Sequence, residues 1–78
     1  MALKEEVLNQ IAGTLDVSAG ELKEDQKLYD SVGVDSTEMV ELTVSLSKHF
    51  GVAFESNEIT KNSTPLEITA VIEKKKQG

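Results

Sequence analysis

Asp35-Ser36-Thr37-Glu38-Met39-Val40-Glu41-Leu42-Thr43-Val44-Ser45-Leu46-Ser47-Lys48-His49-Phe50-Gly51 is the stretch on which the fold turns, because it fits two periodicities at once. From Val40 to Ser47 apolar and polar residues alternate without a break, the pattern of a half-buried strand. At about 100° per residue, however, Met39, Leu42, Thr43, Leu46 and Phe50 gather within roughly a third of a helix circumference. Local chemistry decides between the two. Asp35 stands at an N-cap position with Glu38 three residues on, the spacing of a capping box. Gly51 follows Phe50 where a helix C′ glycine belongs, and Lys48 and His49 occupy the last turn, where the helix dipole favours cations. No tight-turn partner strand lies beside it. The stretch reads as a helix over 36–50. Val40 and Val44 then fall off the core face next to Glu41, either as scattered surface valines or as an edge for docking a partner.

The flanking sequence adds helices rather than strands. Leu3, Val7, Leu8, Ile11 and Leu15 share one face of an amphipathic helix over 3–15. Residues 16–35 form a long connection in which Ser18-Ala19-Gly20-Glu21 suits one capped turn. Gly20, Asp25, Asp30 and Gly33 oppose any long regular element there. Val17, Leu22, Leu28 and Val32 read as pins holding this connection on the core. A loop so long in so small a domain is often functional. Thr64-Pro65-Leu66-Glu67 places Thr at N-cap, Pro at N1 and Glu at N3 of a last helix, with Ile68, Val71 and Ile72 on one face. Ser56-Asn57-Glu58-Ile59-Thr60 suits a short helical turn. The class is all-α, with three main helices.

Composition excludes much. The 78 residues form one domain, 1–78, with the Lys74-Lys75-Lys76 run expected as a frayed end over 74–78. A domain this size is stable by only roughly 4–12 kcal/mol. There is no Cys, and the one His is His49, so neither a disulfide nor a clustered metal site supports the core. Packing alone must hold it. The net charge is −6 and none of the eight basic residues is Arg, which disfavours nucleic acid and anionic membranes. No apolar run reaches the ~20 residues of a membrane span, and the N-terminus lacks a signal-peptide pattern. A soluble cytoplasmic monomer is the expectation. The acidity concentrates in residues 16–58, where ten acids face three lysines. That segment is the candidate docking surface for basic partners.

Catalytic machinery is not legible. His49 has no nucleophile elbow or oxyanion loop near it, no phosphate-cradling glycine loop exists, and Asp25 to Asp35 lacks calcium-loop spacing. Ser36 differs from the other serines. With Asp35 as cap, its hydroxyl opens a helix after a long exposed loop. Free N–H groups and the dipole at that end suit an attached phosphate, although Ser36 could equally be one more capping serine.

Val34-Asp35-Ser36, opening a helix that continues Val40-Glu41-Leu42 and ends Phe50-Gly51-Val52, resembles an acyl carrier protein. Leu3 to Val17 resembles the family's first helix with its following Leu-x-Val, and Leu28-Tyr29-Asp30-Ser31-Val32-Gly33 the segment before its Asp-Ser pair. Thr64 through Ile72 resembles its capped final helix. The likeness spans residues 3–73. It implies a four-helix bundle whose short helix lies near residues 56–61. It also implies 4′-phosphopantetheine on Ser36, installed from coenzyme A with magnesium by a phosphopantetheinyl transferase, with Asp35 as part of the attachment motif. Acyl groups would ride as thioesters on the arm's thiol, so the missing Cys is compatible and no catalytic residue is implied. Acyl-loading and acyl-processing enzymes with basic patches would dock on Asp35, Thr37, Glu38, Val40, Glu41 and Val44. A chain could tuck among Leu42, Leu46, Ile59, Ile68 and Ile72, which also read as ordinary core.

The sequence departs from the family pattern in three places. Thr37 stands where Leu is usual after Asp-Ser. Ser47, Lys48 and His49 replace acids late in the helix, and Ala53-Phe54-Glu55-Ser56 replaces a stretch that commonly opens with Pro and acids. The acidic face is therefore shortened to its N-terminal half, as a dedicated pathway with its own loading enzyme would allow. Two alternatives stay open from the residues alone: an aminoacyl or peptidyl carrier, and an unmodified acidic helical adaptor.

Overall fold

A computed structural model describes residues 2–55 and 57–77. Four helices follow one another: α1 (Leu3–Leu15), α2 (Leu28–Val32), α3 (Ser36–Phe50) and α4 (Pro65–Gln77), with a 3-10 turn at Ala19–Glu21 between the first two. No strand occurs among the described residues. The ambiguous stretch is a helix with the expected bounds. Asp35 Oδ1 accepts from the Glu38 N–H at 2.8 Å, and Glu38 Oε1 accepts from the Asp35 N–H at 3.1 Å, closing the capping box. At the other end Gly51 takes a left-handed conformation with φ 67°, and the N–H groups of Gly51 and Val52 both donate to the Ser47 carbonyl. A side chain there would strain the backbone, which is why glycine ends this helix.

The face assignment also holds. Met39, Leu42, Leu46 and Phe50 are buried, whereas Val40 and Val44 are 64% and 48% exposed. Thr43 sits between these extremes and returns its hydroxyl to the Met39 carbonyl at 2.8 Å. The α3 core stripe packs against Val7, Ile11, Ala12 and Leu15 of α1 and Ile68 and Ile72 of α4 in one cluster. A polar contact sets the α1–α3 register beside it: Ser45 Oγ bonds Gln10 Nε2 and Thr14 Oγ1, each at 2.7 Å.

In α4 the Thr64 hydroxyl accepts from the Glu67 N–H at 3.1 Å, and the Glu67 carboxylate accepts from the Thr64 N–H at 2.9 Å. The lysine run, expected as a frayed end, continues α4 as far as Gln77; Gly78 lies outside the described residues. Lys75 is held there by bonding Glu58 at 2.8 Å.

The connection between α1 and α3 is more structured than its sequence suggests. Leu22 and Leu28 are buried, and Val17 and Val32 pack partly buried against the core, so all four pins engage. The 3-10 turn forms, but Ser18 makes no side-chain cap to it. The short helix of the bundle is α2, not the segment near 56–61. Leu28 and Tyr29 donate their N–H groups to the carbonyls of Ser63 and Lys61, at 3.0 and 2.9 Å. This long-range pairing satisfies the donors that a helix start leaves open. Gly33, with φ 65°, ends α2 and turns the chain towards Asp35. Ser56 of the expected short helix lies outside the described residues, and Asn57–Ile59 form only a turn and a bend, closed by Glu58 N–H to the Glu55 carbonyl at 3.1 Å. No helix among the described residues is long and apolar enough to cross a membrane.

The two faces of α3 predict opposite mutational costs. Leu46→Ala, at a fully buried position, should lower unfolding free energy in urea by about 2–5 kcal/mol. Val44→Ala, on the half-exposed side, should cost less than about 1 kcal/mol. Equal losses would contradict the helical face.

Candidate functional site

The capping box leaves the start of α3 with an uneven set of polar groups. Glu38 N–H is taken by Asp35, and the first intrahelical bond is Met39 N–H to the Asp35 carbonyl at 3.0 Å. Among the described residues, the N–H groups of Ser36 and Thr37 have no protein acceptor and the Ser36 hydroxyl has no hydrogen-bond partner. Ser36 is exposed, at the first position of a fifteen-residue helix. A free hydroxyl there can form an ester. The adjacent unpaired donors and the positive end of the helix dipole would favour the negative charge of a phosphodiester. The residues present therefore fit a phosphate-linked group on Ser36. No cluster of three or more potential metal ligands occurs among the described residues.

An apolar groove of about 250 Å³ begins one helical turn below this serine. Met39, Val40, Thr43 and Val44 of α3 form one side, Phe54 and Ile59 the other, and Glu55 stands at the rim. At about 100° per residue the four α3 residues lie within about 80° of the azimuth of Ser36. Val40 is about 6 Å along the axis from it. The hydroxyl and the groove thus share one face of one helix.

The sequence-derived docking residues come together on α3. Asp35, Thr37, Val40, Glu41 and Val44 are exposed, and Glu38 is half-buried within the capping box. Val40 and Val44 belong both to this surface and to the groove wall. The proposed chain-binding residues do not stay together. Leu42, Leu46, Ile68 and Ile72 are at most 1% exposed and sit in the packed core; only Ile59 reaches the groove. Sequence reading passed over the groove roles of Met39, Thr43, Phe54 and Glu55, of which Phe54 supplies the aromatic wall. The signal for Phe54 was the apolar Val52-Ala53-Phe54 run just beyond the helix stop.

Phe54 and Ile59 come from the α3–α4 connection, whose Glu55–Glu58 turn is tied to α4. Glu58 Oε1 accepts from the Glu55 N–H at 2.7 Å and from Lys75 Nζ at 2.8 Å. The backbone donor first, and then the ammonium, pull the Glu58 carboxyl below its ordinary value.

Comparison with known proteins agrees with this geometry. Residues 5–72 match the phosphopantetheine attachment site family. The chain is 34% identical to the acyl carrier protein of Thermotoga maritima, over 96% of this chain and 98% of that one. It is 32% identical to the acyl carrier protein of Solidesulfovibrio magneticus, over 97% of each chain. With that of Wolinella succinogenes it shares 29% identity, over 97% of this chain and all of the relative. The chain belongs to the phosphopantetheine-dependent acyl carrier protein family. It is a carrier rather than a catalyst, and its prosthetic group is 4′-phosphopantetheine.

The lowered Glu58 value fixes a sign for pH dependence. A folded-state carboxyl below its unfolded value contributes stability above the unfolded value and loses it as pH falls through the folded one. Melting midpoints measured from pH 6 down should fall less steeply over that acid window in Glu58→Gln than in the native chain. Parallel curves would contradict the contact.

Proposed function

We propose that this chain delivers acyl intermediates to enzymes of fatty-acid, polyketide or a related specialised pathway in the cytoplasm, with Ser36 as the attachment residue. The observation that carries this reading is the exposed Ser36 hydroxyl, which like the two N–H groups beside it has no partner among the described residues, one turn above an apolar groove on the same helix face. The prosthetic arm supplies the thiol that holds acyl groups as thioesters. Ser36 fixes the arm to a rigid helix end, and a tethered group reaches a partner's active site at high effective concentration. Asp35 orients Ser36 through the capping box and, with Glu38 and Glu41, presents negative charge to the transferase and to acyl-loading and acyl-processing enzymes. Such charge sets encounter rate and orientation more than final affinity. Val40 and Val44 supply the apolar part of the contact and, with Ile59, the shelter for the cargo. Lys48 and His49 end the acidic strip within the last turn of α3, which supports partners other than general fatty-acid synthesis enzymes. The carrier acts as a monomer.

Incubation with coenzyme A, magnesium and a broad-specificity phosphopantetheinyl transferase, read by intact mass, tests the assignment. One phosphopantetheine should add to the native chain and none to Ser36→Ala, and loading should slow as salt rises. No addition to the native chain, or addition that survives Ser36→Ala, would refute it.

A further inference from the structure

One wall of the groove is part of α3 and cannot move without unpacking the core, since Leu42 and Leu46 behind it are fully buried. On the opposite wall Ile59 also belongs to the core, at 5% exposed, whereas Phe54 only packs partly buried against it. Phe54 and Ile59 are carried on a connection that forms only turns between α3 and α4 among the described residues. A single side chain from α4 reaches both ends of the turn that bears them. Lys75 Nζ stands 5.6 Å from the centre of the Phe54 ring and 2.8 Å from Glu58 Oε1. Glu58 in turn accepts the Glu55 N–H at 2.7 Å. The ammonium therefore binds an aromatic face and a carboxylate at once, and through them fixes the backbone of Phe54-Glu55. Both charged side chains are only about a quarter to a third exposed, at 25% and 31%. Solvent and salt screen such a pair less than a fully exposed one. Of its neighbours, Lys74 is exposed and acts on Glu58 through its charge, and Lys76 lies 5.8 Å over Phe50 at the end of α3.

We propose that Lys75 is a positioning residue that clasps the Phe54 wall through Phe54 and Glu58 and thereby keeps the groove closed over a medium-length acyl chain. This rests on the reading that the groove receives the cargo. At about 250 Å³ the groove has room for on the order of eight water-sized groups, a medium-length chain. Longer chains need the Phe54 wall to swing outward against the clasp. Short chains do not reach it.

Two measurements on native, Lys75→Gln and Lys75→Arg chains test this. The first is amide hydrogen exchange across residues 52–60 in the unmodified protein. The second is the rate of thioester cleavage by hydroxylamine in the acetyl- and octanoyl-loaded forms, prepared from the acyl-coenzyme A with a transferase. Lys75→Gln should speed exchange at Phe54 and Ile59. It should also raise octanoyl cleavage by about three- to tenfold while leaving acetyl cleavage unchanged. Lys75→Arg, which keeps the cation, should behave as the native chain. Native-like exchange and cleavage in Lys75→Gln, or an Arg variant as impaired as the Gln variant, would overturn the clasp. If the native chain itself cleaves octanoyl and acetyl groups equally fast, the groove does not shelter cargo, and the reading beneath the proposal falls with it.

Discussion

The reciprocal bonds between Asp35 and Glu38 are the contact on which the rest of the molecule depends. They set where α3 begins, while the ~100° step per residue and packing against α1 and α4 set which face each side chain takes. With the cap at Asp35, Leu42 and Leu46 point into the core, Val40 and Val44 point out, and Ser36 stands at the first position with its hydroxyl free. A start shifted by one residue would make Ser36 the cap, its hydroxyl engaged by a helix N–H instead of free. The same two carboxylates that close the box lie beside Ser36, so one local motif orders the helix and charges the surface around that serine.

A chain of 78 residues without Cys has little stability to spend on a separate binding cleft. It meets that limit by using α3 twice. One side of the helix supplies Met39, Leu42, Leu46 and Phe50 to the core, and an adjoining side supplies Met39, Val40, Thr43 and Val44 to the groove. Met39 belongs to both. The groove is therefore a shallow continuation of the core surface, closed on its far side by the α3–α4 connection. The far half of that connection is bonded to α2 through Ser63 and Lys61 and to the core through Ile59, whereas Phe54 and Glu55 at its near end are held to α4 by the Lys75 pair.

What was legible in the sequence follows from how local its cause is. The caps of α3 and α4 are written within four residues each, Asp35 to Glu38 and Thr64 to Glu67, and both formed as read. The helical face of α3 could be read despite the alternating pattern because those caps and Gly51 are local signals. The short helix could not be placed, because Leu28–Val32 is held by bonds from Leu28 and Tyr29 to Ser63 and Lys61, more than thirty residues away. Ser36 was legible as a helix-end hydroxyl. The groove was not, since periodicity identifies the deepest residues, Leu42, Leu46, Ile68 and Ile72, and a cargo site needs surface that the core has left uncovered. Phe54 meets Lys75 only across the α3–α4 connection, so their contact is invisible to local sequence reading.

The central claim is that the attachment serine and the cargo groove share one face of α3. Methyl chemical shifts of the octanoyl-loaded protein against the unacylated, arm-bearing form test it most directly. The account predicts changes at Val40, Val44 and Ile59, with Leu42, Leu46, Ile68 and Ile72 nearly unmoved. Shifts confined to those four core residues, or none at all, would contradict it.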